Sequence, residues 1–153
     1  MTREETALAY VNGTDDKKGL ERLIQNAKRL GYPKVEEAAF RRLISLHPEC
    51  EPGSIDHDFW SMVQAFEYVL TEERGKTTRL GRTRPKALKD GVVATLAGWA
   101  TSNQVTEGFQ MLQDREMLDL SGEAIVIRHP DEFAPEVVEA AKRRLESVGY
   151  LVN

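Results

Sequence analysis

A chain of 153 residues that is 41% hydrophobic, 30% charged and 7% aromatic has the make-up of one soluble globular domain. At this length folding buries roughly 70% of the surface that the unfolded chain exposes, so a core forms without metal or disulfide staples, and the single cysteine, Cys50, makes an internal disulfide framework impossible. The net charge of −4 excludes a protein that coats nucleic acid indiscriminately.

No stretch approaches the roughly 18 apolar residues of a membrane span, and Met1-Thr-Arg-Glu-Glu leads into no secretory apolar core. A cytoplasmic protein with no membrane partner is therefore expected.

In chain order the signals are those of helices. Thr2 with Glu5 forms a capping box that opens a first helix, ended by Gly13. Asp15 or Asp16 starts a second, with Leu20, Leu23, Ile24, Ala27 and Leu30 on its apolar face and Gly31 at its end. Pro33 suits a first helical position and opens a third through Val35, Ala38, Ala39, Leu43 and Leu46, which His47-Pro48 closes. Ser54 or Asp56 begins a fourth, and Phe59, Val63, Phe66 and Leu70 recur there at the spacing of a buried stripe, widened by Trp60, Met62 and Val69.

The segment after Gly75 is too polar to bury and is read as a basic loop at 74–86, leading into a fifth helix over about 86–101 with Leu88, Val92, Leu96 and Trp99 inward. Thr106 and Glu107 start a sixth through Phe109, Met111 and Leu112. Glu123–His129 is short and β-branched, so periodicity leaves helix and strand open. A short buried helix is favoured, because a lone strand would have no partner. Pro135 opens the last helix, with Val137, Val138, Ala141 and Leu145 inward. The expected fold is all-α, a compact bundle of six to eight short helices in a single domain spanning 1–153, packed around Phe59, Phe66, Leu70, Leu96 and Trp99.

One internal echo stands out. Residues 33–43 and 135–145 align without gaps and are identical at eight of eleven positions. A duplication is one explanation; the other is that proline-opened amphipathic helices share a vocabulary, and solenoids need three or more units.

The search for catalytic chemistry yields no assignment. His47, Cys50 and His57 match no zinc-module spacing, and a fourth ligand would have to be borrowed from Glu49, Asp56 or Asp58. A Cys50 nucleophile with a histidine has no flanking signature. His129-Pro130-Asp131-Glu132 reads as a helix stop with Asp131 as a cap, because Glu139 and Lys142 lie three apart on a helix and not one apart on a strand as a metal-dependent nuclease needs. Neither a phosphate-cradling Walker A loop nor a dinucleotide glycine fingerprint occurs. No catalytic residue, metal ligand or cofactor is assigned, and an enzyme ranks last among the readings.

Charge distribution carries the functional signal. Arg74, Lys76, Arg79, Arg82, Arg84, Lys86 and Lys89 stand in a stretch with no acid, leaving 14 basic against 25 acidic residues elsewhere. Arginine and lysine neutralise phosphates, threonines donate to them, and glycines let the backbone approach. No aromatic interleaves the segment, so base stacking there is not indicated. The plain alternative is a solvated loop paired with acidic helices through Glu72, Glu73 or Asp90, in which case the ion pairs contribute about 0–1 kcal/mol each.

The wording from Phe66 to Lys86, then Thr106-Glu-Gly-Phe and Leu120-Ser-Gly-Glu-Ala-Ile-Val-Ile-Arg-His-Pro, resembles a small family of uncharacterised bacterial helical proteins. Some of its members are associated with restriction-type or other nuclease polypeptides. The resemblance, with the helices over 20–43, spans most of the chain and transfers no catalytic residue. It implies an accessory or DNA-contacting role rather than cleavage, and with the charge distribution the expectation is a non-catalytic protein that contacts double-stranded DNA through the 74–89 segment. The alternative is an adaptor that docks a partner protein without nucleic acid.

Overall fold

The caps and stops read from the sequence set the architecture. The computed structural model describes residues 2–46 and 49–150, and among them it contains nine α-helices, two short 3-10 turns and no strand. These residues fall into two compact units, Met1–Glu49 and Cys50–Asn153. No helix among the described residues is long and apolar enough to cross a membrane.

The first unit holds α1 (Arg3–Gly13), α2 (Lys17–Leu30) and α3 (Pro33–Leu46). Thr2 caps α1 by accepting from the N–H of Glu5 at 3.1 Å, and Asp16 caps α2 by accepting from the N–H of Gly19. Gly31 ends α2 at φ +79°, a left-handed conformation that glycine adopts without Cβ strain, and so turns the chain into α3. Helices α2 and α3 pack on each other, with α1 against α3, and bury Leu20, Ile24, Val35, Ala39 and Leu43 among others. Leu30, expected on the buried face, is 54% exposed because it falls in the last turn of α2. The His47-Pro48 stop lies outside the described residues.

The second unit is built on α4 (Ile55–Arg74), whose cap is Ser54 and whose C-terminus is closed by left-handed Gly75. It continues through α5 (Thr83–Asp90), α6 (Val92–Thr101), α7 (Glu107–Asp114), α8 (Gly122–Arg128) and α9 (Pro135–Ser147), with 3-10 turns at Leu118–Leu120 and Pro130–Glu132. The ambiguous stretch is helix α8. Ser121 fixes its start, accepting from the N–H of Ala124 at 3.1 Å while donating to the carbonyl of Leu118 at 2.6 Å. Its Ala124, Ile125 and Val126 are all buried, since α8 packs against α4, α6 and α9 and therefore has little solvent face to mark with polar residues. Phe59 lies at the centre of the core, stacked on Trp99 at 5.9 Å and edge-on to Trp60 at 5.1 Å. Leu96 and Phe66 are buried as expected, whereas Leu70 and Trp99 are half-buried.

Four expectations are corrected. The helix expected over 86–101 is two helices, because Gly91 stands between them at φ +95° and ψ 156°, a conformation essentially reserved for glycine. That break raises the helix count to nine. The first of the two also begins earlier, at Thr83, since Pro85 sits within the first turn, where its missing N–H is not needed. The basic loop is accordingly 75–82, and Leu88, expected inward, is 77% exposed on α5. Asp131 caps no helix: it lies in the Pro130–Glu132 turn, and α9 starts from Ala134 without a side-chain cap.

Candidate nucleic-acid interface

The seven basic residues occupy three kinds of position. Arg74 ends α4, Lys76, Arg79 and Arg82 stand on the connection, and Arg84, Lys86 and Lys89 ride on α5. The connection is tied to α4 by specific bonds. Thr71 Oγ1 accepts from the N–H of Thr78 at 2.9 Å, and the Thr78 hydroxyl donates to the carbonyl of Lys76, so that hydroxyl is already engaged.

The principal tie is Glu67. This α4 glutamate is only 6% exposed, yet it carries three hydrogen bonds: from the N–H of Leu80 at 2.8 Å, from Arg84 Nε at 2.6 Å and from Arg84 Nη2 at 2.6 Å. Burial pushes its carboxyl up, but the Arg84 hydrogen bond, the Leu80 N–H and the charges of Arg84 and Arg79 outweigh burial and hold it below the usual carboxylate range. The same hydrogen bond raises the Arg84 guanidinium above its ordinary value, against a smaller opposing effect of burial. Arg84 also lies 5.7 Å from the ring of Trp60, within cation–π range.

Arg84 is therefore a clamp inside the fold, its guanidinium engaged by Glu67. Arg79 approaches the same carboxylate at 3.9 Å but keeps 68% of its side chain exposed. Arg74, Lys76, Arg82, Lys86 and Lys89 are exposed, and their side chains make no hydrogen bond or ion pair among the described residues.

The internal partner of Arg84 is thus Glu67, while Glu73 pairs with Arg115, the residue closing α7. The signal for Glu67 was present in the sequence. It follows Val63 by four residues and Phe59 by eight, and so is the lone acid in the apolar stripe.

A second buried pair braces the unit. Glu123, 3% exposed, accepts from Arg144 Nη1 at 3.1 Å, and Arg144 also donates to the carbonyls of Trp99, at 2.7 Å, and Ser102. Those two carbonyls belong to the end of α6, where a cation complements the helix dipole.

Among the described residues, no three of His, Cys, Asp and Glu gather as metal ligands. His47 of the considered cluster lies outside them. His129 closes α8 and places its Nε2 at 2.7 Å from Asp58 Oδ2, with Arg128 Nε 3.5 Å from the same oxygen. A histidine carrying a carboxylate partner at a helix end is a brace, and among the described residues no nucleophile is hydrogen-bonded to the dyad.

A recess of about 450 Å³ opens beside the basic connection, walled by α4, α6, α7 and the start of α8. Arg82 and Thr83 stand at it, together with Phe66, Trp99 and Phe109. No local pattern places aromatics beside the basic segment, because they arrive from three other helices. No family model matches the chain, and no curated protein or solved structure matches it either.

Proposed function

We propose that this protein is a non-catalytic, DNA-associated accessory module whose 74–89 segment contacts the phosphates of double-stranded DNA, in keeping with the resemblance to nuclease-associated proteins. The observation that carries the proposal is the division of labour among the seven cations. Arg84 is spent on Glu67, and this anchors the segment, while Arg74, Lys76, Arg82, Lys86 and Lys89 stay exposed and have no side-chain partner among the described residues. Arg79 is shared between the two tasks. Holding the connection to α4 lowers the entropy lost when the cations settle on phosphates. Sequence readout is not part of the proposal, since phosphate contacts position a protein without reading bases.

The test is fluorescence anisotropy of a labelled mixed-sequence duplex at about 50 and 200 mM salt, the range over which phosphate contacts weaken most visibly. Binding that falls steeply with salt supports the proposal, and absence of binding at both concentrations refutes it.

Leu88 favours the adaptor as a second reading. A leucine that is 77% exposed between Lys86 and Lys89 is an apolar contact flanked by charge, suited to an acidic partner protein. A complex that survives nuclease treatment and dissociates on Leu88→Ala would establish it.

A further inference from the structure

The recess beside Arg82 combines three chemistries that rarely meet. Its walls are aromatic and aliphatic, from Phe66, Leu70, Trp99 and Phe109; Glu123, a buried carboxylate whose Oε2 already accepts from Arg144, borders it; and Arg82, whose side chain has no partner among the described residues, stands at it. At about 450 Å³ it falls within the roughly 300–1,000 Å³ typical of small-molecule sites.

Two glycines keep it open. A Cβ on Gly108 would lie 2.6 Å from the Phe66 ring, and one on Gly122 would lie 3.1 Å from both Leu96 and Trp99. Side chains at these positions would drive the aromatic walls out of place.

We propose that this recess binds a nucleotide, with the base among Phe66, Trp99 and Phe109, N–H groups on its edge facing the Glu123 carboxylate, and the phosphate on Arg82. A flat ring suits aromatic walls, a carboxylate accepts from amino and imino groups, and arginine offers a planar fork to phosphate. Two sources supply this chemistry: a free nucleoside monophosphate, or an unpaired nucleotide at a DNA strand end or gap. The second source rests on the DNA-contacting function proposed above; the first does not. Glu107, also at the recess, repels an anion there and so gives the proposal a sign.

The experiment is calorimetric titration of the whole chain with each of the four deoxynucleoside monophosphates, beside anisotropy with duplexes that are blunt or carry a one-nucleotide overhang or gap. We expect saturable binding of at least one monophosphate, or preference for the overhang or gap over the blunt duplex. That binding should weaken about tenfold in Arg82→Ala, the loss of one charge-assisted hydrogen bond. It should strengthen in Glu107→Gln and be unchanged in Lys142→Ala, which removes an exposed cation of α9. These positions are exposed, so the variants fold.

Monophosphate binding without DNA binding would uphold the nucleotide site while refuting the DNA-contacting function. Equal affinity for blunt, overhanging and gapped duplexes, with no monophosphate binding, would overturn the nucleotide site and leave that function standing. Binding indifferent to both Arg82→Ala and Glu107→Gln would also overturn it, because an occupant without a phosphate at the rim would be insensitive to their charges.

Discussion

Arg84 lays its Nε on one carboxylate oxygen of Glu67 and its Nη2 on the other, each at 2.6 Å, and thereby fixes the start of α5 to the middle of α4. The pair separates two kinds of cation that look alike in the sequence: one that holds the segment and several that face outward.

Arg84→Ala strands a buried carboxylate. Removing one partner of a buried pair costs about 3–5 kcal/mol, and we expect a value toward the lower end, because Leu80 N–H still donates to Glu67 and Arg84 is partly exposed. Arg82→Ala, at an exposed position, should stay within about 0.5 kcal/mol of the parent. Urea denaturation of the two variants checks the contrast; equal midpoints would show that the clamp contributes nothing.

The same pair sets a pH dependence. The Glu67 carboxyl is held lower in the folded chain than in the unfolded one, so its contribution is complete above the unfolded value, about 4.3, and is lost as pH falls through the lower folded value. The stability difference between the parent and Glu67→Gln should therefore shrink as pH drops below about 4. Thermal unfolding of both between neutral pH and pH 3 measures it, and a constant difference would contradict the assignment.

Gly91→Ala should destabilise by about 1–3 kcal/mol, because φ +95° with ψ 156° is strained for any residue with a Cβ. No neighbouring atom crowds the position, so the effect comes from the backbone alone. Gly98→Ala, in the exposed interior of α6 and equally uncrowded, should instead stabilise by about 0.5–1 kcal/mol. Denaturation of this matched pair checks both signs.

Arg42 and Arg144, equivalent positions of the repeated motif, perform the same task in their separate units. Arg42 Nε donates to the carbonyl of Thr14, the residue closing α1, and its Nη2 to Asp15 at 2.8 Å; Arg144 donates to the carbonyls of Trp99 and Ser102 at the end of α6 and to Glu123. Asp15 is 85% exposed and Glu123 3%. Arg42→Ala should therefore cost no more than about 1 kcal/mol. Arg144→Ala, which leaves Glu123 buried without its cation, should cost about 3–5 kcal/mol. Chemical denaturation of each variant distinguishes them.

Helix existence and most caps were legible in the sequence because their causes are local. Thr2, Asp16, Ser54, Thr106 and Ser121 each accept from a backbone N–H three residues on, at the spacing that defines a cap. The break at Gly91 was missed because apolar spacing continues across it, from Leu88 to Val92 and Leu96. The partner of Arg84 was missed because Glu67 lies 17 residues away, on a helix whose stripe was read for its apolar members alone. The recess was illegible for the same reason: its aromatic walls and its arginine come from different elements, and only packing brings them together.

The central claim is that the exposed cations, not the clamped one, meet the phosphates. It is tested most directly by the salt dependence of duplex binding for the parent and for a variant with Arg74, Lys76, Arg82, Lys86 and Lys89 all changed to alanine. Five phosphate contacts give a log–log slope of about −4.5, so the parent should lose roughly 10²- to 10³-fold in affinity between about 50 and 200 mM salt. The variant should fold normally, bind far more weakly and show a slope no steeper than about −0.9, because only the shared Arg79 remains to meet a phosphate. A folded variant that keeps the parent's affinity and slope would contradict the account.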